Sequence, residues 1–205
     1  VTAEALFREG LAALEAGDHA RACAKLGESL RLDPAAGTLL NLGRCKEGLG
    51  LTASAWQHFR EAADLLVGDD RRQLALERIA ALEPQLARIT VLLTESDAPG
   101  LEVRRDQVIL GREGLGSALP VDPGDHVVVA RARGRAGRTV RVHVDRAEQR
   151  VVRIDPGARL SAADVNGAEG TNEPAPWLTP TGIGIGSVGL VGVAVGAVTG
   201  ALALD

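Results

Sequence analysis

ALFREGLAALEAGDHARA runs from Ala5 to Ala22, and LLNLGRCKEGLGLTASA answers it from Leu39 to Ala55. Aligned, Gly10 falls on Gly43, Gly17 on Gly50, Ala22 on Ala55, Leu26 on Phe59 and Ser29 on Ala62, each pair 33 residues apart. A constant interval is a period. Each unit reads as helix, glycine-centred turn, helix, and the first closes on Leu32-Asp33-Pro34. Gly and Ala where two helices cross allow close approach, and Leu or Phe fills the space around them. The spacing therefore predicts two helical hairpins of the same design, packed side by side.

A period near 34 with small residues at these offsets resembles the tetratricopeptide repeat. The residues on the motif are Leu6, Gly10, Gly17, Ala22, Leu26, Ser29 and Pro34 in unit one. In unit two they are Leu39, Leu42, Gly43, Gly50, Ala55, Phe59 and Ala62, and the family's aromatic positions are aliphatic or small here. The resemblance implies a groove, lined by the first helix of each repeat, that receives a protein or peptide partner. Its groove-facing candidates are Phe7, Leu11, Leu14, Leu40, Asn41, Arg44 and Glu47. Asn41 matches an asparagine that some repeats use to grip a peptide carboxylate. The corresponding Lys and Asn of unit one are here Phe7 and Leu11, so an apolar peptide or helix is the expected guest.

Helical signals continue past the repeats. Asp69-Asp70 read as an N-cap and first turn, where carboxylates meet the positive end of the helix dipole. Leu74, Leu76, Ile79, Ala80, Leu82 and Leu86 supply an apolar stripe for a third long helix, ended by Pro84. A terminal helix covers the core face that a last repeat leaves open. Residues 3–86 are thus predicted to be one helical domain.

The period changes at Ala87. Residues 88–93, 101–104, 125–133, 137–144 and 149–154 alternate or run apolar, as strands do. Asp122-Pro123-Gly124-Asp125 is a turn, since Pro presets φ and Gly accepts positive φ. Short strands at regular spacing predict a small antiparallel β-sandwich over residues 87–155. The order GLEVRRDQ from Gly100, LPVDPGDH from Leu119, then paired strands is similar to the PEGA-type β domain, with Ala98-Pro99-Gly100-Leu101 where the eponymous motif would stand.

Residues 156–181 read as a disordered linker, aperiodic and broken by Pro174, Pro176 and Pro180. From Gly182 to Leu204 no residue is charged. About 20 such residues span the hydrocarbon as a helix. Gly192, Gly196 and Gly200 lie four apart on one face, which lets two lipid-embedded helices meet and self-associate. Trp177, just outside the run, suits the membrane interface. The competing reading is a flexible Gly/Ala tail or a buried helix, because Gly is a poor helix former in water. No Lys or Arg lies between Arg159 and the span, which favours soluble domains outside the cytoplasm. The expected location is a bacterial inner membrane with those domains on the periplasmic side.

Composition narrows the function classes. The 205 residues carry a net charge of −4, with Met absent. Residues 88–155 hold 12 basic and 10 acidic side chains, so no segment is a polybasic nucleic-acid domain. Without methionine, Val1 is expected to follow an alternative start codon or a segment left out, although Val1 to Leu14 already reads as amphipathic helix and not as a signal peptide. The arginine-rich, lysine-poor composition suggests a GC-rich bacterial source.

Cys23 and Cys45 are the only cysteines. In an oxidising envelope they can bridge, closing a loop of roughly 20 residues worth about 3 kcal/mol; otherwise both are small buried hydrophobes. Two thiols with no nearby histidine pair do not complete a metal site. Gly184-Ile185-Gly186-Ser187-Val188-Gly189 spells a dinucleotide fingerprint but has a Pro-rich linker before it, where a strand is required. Arg131, Arg133 and Arg135 alternate and could share one strand face with Arg138 and Arg141 nearby, although a solvated face is the plainer reading. No nucleophile, base and orienting group fall at a motif spacing, and no cofactor is implied. The expectation is a non-enzymatic, membrane-anchored interaction protein, with a self-associating structural stalk as the alternative.

Overall fold

The computed structural model describes residues 2–161. Five α-helices precede two small sheets. The linker beyond Ser161 and the span at 182–204, with Gly192, Gly196 and Gly200, lie outside the described residues. Among the described residues no helix is long and apolar enough to cross a membrane.

Helices α1 (Ala3–Glu15) and α2 (His19–Leu32) form the first hairpin, and α3 (Ala36–Gly48) and α4 (Thr52–Leu65) the second. Gly17 and Gly50 take positive φ, +73° and +74°, at equivalent places in the two turns. Thr2 and Asp18 cap α1 and α2 by accepting from the backbone N–H groups of Ala5 and Arg21. Leu26, Ala22 and Ala13 fill the first hairpin, while Phe59, Ala55 and Ala62 fill the second. A disulfide between Cys23 on α2 and Cys45 on α3 joins the hairpins covalently.

Helix α5 (Arg71–Leu82) lies against α4 and passes through one 3-10 turn, Glu83–Gln85, into the first strand. Its start differs from the sequence expectation. Asp70 occupies the N-cap position without a side-chain bond, and Asp69 accepts from the Arg71 backbone N–H while pairing with the Arg71 guanidinium. That pairing holds the Asp69 carboxyl at about 2.

Strands β1 (Ala87–Leu93), β4 (Ala118–Val121) and β7 (Gln149–Ile154) form one sheet in the order β4-β1-β7. Strands β2 (Glu102–Arg105), β3 (Val108–Ile109), β5 (Gly124–Arg131) and β6 (Arg138–Val144) form the other, in the order β3-β2-β5-β6. Ile89, Val91 and Ile154 from the first sheet share one core with Val103, Val128 and Val144 from the second. The β5–β6 pair is antiparallel, as expected, with Asp125 opposite His143 and Ala130 opposite Arg138. The sandwich is not wholly antiparallel, however. β7 runs parallel to β1, pairing Ile89 with Arg150 and Leu93 with Ile154. The second sheet intervenes in sequence between them and supplies the long crossover that a parallel pair needs.

Two further expectations are corrected. Arg131 ends β5, so Arg133 and Arg135 lie beyond the strand and the three share no cationic face. Arg135 pairs with Glu95 and donates to the Gly157 carbonyl, and Arg138 pairs with Asp155. The chain also stays on the sandwich past residue 155. Pro156 and Leu160 join the β5–β6 loop through the Gly137 N–H and the Gly134 carbonyl, so no linker begins at 156.

The helices and the sandwich are tied by an unusual cap. Leu51, at the N-cap of α4, has no side chain able to accept a bond. Asp122, in the turn after β4, supplies the acceptor: it takes the Ser54 backbone N–H at 2.9 Å and the Ser54 hydroxyl on its other oxygen. A carboxylate at a helix N-terminus meets both unpaired N–H groups and the positive dipole end. Asp122→Ala is expected to cost about 2 kcal/mol, read as a lower urea midpoint, with Asp122→Asn recovering part of it. An unchanged midpoint would show that the carboxylate does not hold the layers together.

Candidate functional site

Residues of α3, α4 and α5 enclose a cavity of about 590 Å³, within the usual range for ligand pockets. Its floor is Leu40 and Phe59, which are 7 % and 1 % exposed. Leu74 of α5 forms one wall and is 50 % exposed, a large apolar side chain left facing water. Glu47 on α3 pairs with Arg78 on α5, and this strut bridges the two helices at the rim. Arg44 is exposed beside them, its guanidinium donating to the Asn41 side-chain oxygen at 3.1 Å.

The groove nominated from sequence is therefore divided. Leu40, Arg44 and Glu47 meet in this cavity. Asn41 sits next to it, but one amide N–H is spent on the Gly37 carbonyl at 2.9 Å and its oxygen on Arg44. It is thus poorly placed to grip a carboxylate. Phe7 and Leu14 pack partly buried against the first-hairpin core, and Leu11 is half-buried on the same helix. Phe7 borders a separate cavity of about 350 Å³ with Ser29 and Thr38. None of these three lines the cavity around Leu40. Leu74 and Arg78, which complete it, read in the sequence only as parts of a covering helix. The available signal was the surplus of leucine on that helix, since Leu76 is also exposed.

A second cavity, about 560 Å³, lies between α4 and the sandwich and had no signature in the sequence. Trp56 and Arg60 line it, with the Arg60 guanidinium 4.7 Å from the Trp56 ring centroid, in cation–π range. Across it, Asp106 accepts from the Val127 N–H at 2.9 Å and faces His126 Nδ1 at 2.8 Å. Nearby, burial pushes the His58 imidazole down, opposed by Glu61. No group of three His, Cys, Asp or Glu side chains converges as a metal site among the described residues.

No protein-family model matches the chain, and no curated protein matches it either.

Proposed function

We propose that this is a non-enzymatic interaction protein of a bacterial envelope, membrane-tethered through residues 182–204, whose tetratricopeptide-like head binds a partner in the α3–α5 cavity. The observation that carries this reading is the apolar cavity over nearly buried Leu40 and Phe59, with Leu74 exposed in its wall. Burying an apolar side chain there stabilises a complex by about 1.5–3 kcal/mol for a residue of leucine size. The PEGA-like sandwich would then act as a spacer or second surface. The Cys23–Cys45 bridge suits an oxidising compartment and so favours the outer side of the membrane. An apolar segment with a carboxylate opposite Arg44 is the guest that fits best.

Leu40 is too buried to probe binding alone, because its loss would also leave a void. Leu74→Asp and Arg44→Glu change only exposed groups. Each is expected to weaken capture of the partner at least about tenfold, the effect of roughly 1.4 kcal/mol at an interface. The melting temperature should stay within a few degrees. Retained capture by the doubly substituted protein would remove this cavity from the function. In that event the stalk reading gains, and Gly196→Leu should then abolish self-association in membranes.

A further inference from the structure

We propose that the cavity between α4 and the sandwich binds a carboxylate group, held by the Arg105 guanidinium and the Trp56 indole N–H. Arg105 Nη1 and Trp56 Nε1 are both buried and neither has a hydrogen-bond partner within the protein. Both residues line the same cavity, one from the end of β2 and one from α4. A buried donor left unpaired is costly, so two lining one cavity mark a place where an acceptor belongs.

The acceptors already in the wall do not serve them. Asp106 is occupied by the Val127 N–H and His126, and Asp122 by the Ser54 N–H and hydroxyl. Glu61 takes the Gln57 amide at 2.9 Å. Burial pushes the Arg105 guanidinium below its ordinary range, with Asp106 opposing, and an incoming anion would offset the cost of that burial. A planar carboxylate matches the guanidinium fork. Glu61, Asp64, Asp106 and Asp122 line the cavity against Arg60 and Arg105, so any anion meets like charge there and a phosphate dianion is repelled more than a monoanionic carboxylate. Val121 and Pro120 in the wall suit a short apolar body behind the carboxylate. A free branched-chain acid and the C-terminal residue of a polypeptide share this chemistry.

The test uses the full chain, 15N-labelled in detergent micelles, with the Trp56 indole N–H resonance assigned through Trp56→Phe. It is titrated separately with 4-methylpentanoate, with the peptide Ala-Leu-Val, and with the same peptide as its C-terminal amide. A saturable shift with the acid or the free peptide, but not with the amide, is expected. Arg105→Gln should weaken that response at least about tenfold, as loss of a charge-assisted bond implies. Tighter binding of the peptide assigns a protein C-terminus, and tighter binding of the acid assigns a small molecule. No saturable shift, equal shifts from the amide, or an undiminished response in Arg105→Gln would each overturn the proposal. The acid-versus-amide comparison stands even if the substituted protein folds poorly.

Discussion

Leucine in place of Gly43 is expected to destabilise the protein by about 3 kcal/mol or more, the upper range for overpacking a filled interior. A Cβ on Gly43 would lie 2.7 Å from the Phe59 ring. Phe59 is 1 % exposed and packs in one core with Leu39, Ala55, Ala62 and Leu66, so a leucine at position 43 must drive the ring out of that packing. The same contact recurs in unit one, where a Cβ on Gly10 would lie 2.6 Å from Leu26 Cγ. Intrinsic helix propensity argues the other way, since leucine is a better helix former than glycine by roughly 0.8 kcal/mol. Gly27 in α2 separates the two effects, because nothing lies within 4 Å of the Cβ it would gain. Gly27→Leu should therefore be neutral or mildly stabilising. Urea denaturation followed by helical circular dichroism reads both, and equal midpoints for the two variants would mean that close helix approach does not set the fold.

Opening the Cys23–Cys45 bridge is the second large effect. The cysteines are 22 residues apart in sequence, and closing a loop of that length restricts the unfolded chain by about 3 kcal/mol. The bridge also joins α2 to α3, so it acts between the hairpins and not within either. For a helical domain the size of residues 3–86 each kcal/mol shifts the midpoint by about 4–8 °C, so a drop of roughly 12–24 °C is expected on reduction. Cys23→Ala with Cys45→Ala should reproduce it; alanine is preferable to serine because Cys45 is fully buried. A melting curve unchanged by reductant would show that helix packing alone fixes the two hairpins.

The helical part was legible because its information is local. Gly10 and Gly43 announce an interval, and they meet Leu26 and Phe59 in matching surroundings. The β5–β6 hairpin was legible for the same reason, its strands being adjacent and alternating. What escaped depends on partners distant in sequence. Nothing near Leu51 shows that Asp122, beyond the end of α5 and four strands, will cap α4. Nothing in residues 149–154 distinguishes a strand pairing parallel with β1 from one closing the other sheet. Alternation of Arg131, Arg133 and Arg135 looked like a strand face because the pattern does not reveal where Glu95 and Gly157 draw Arg135 aside. The α3–α5 cavity was half legible. Its α3 residues lie in the second of the two matching sequence units, but Leu74 and Arg78 enter only because α5 packs against α4.

The proposed role is tested most directly by a photoreactive amino acid placed at position 74, in the cavity wall, and separately at position 151 on β7, activated in intact cells. Val151 is 54 % exposed and far from the cavity in the chain, so it controls for exposure. The expected result is a discrete crosslinked partner from position 74 that disappears with Arg44→Glu and is absent from position 151. The same adduct from both positions, or one from position 74 that persists with Arg44→Glu, would contradict the assignment of the α3–α5 cavity as the binding site.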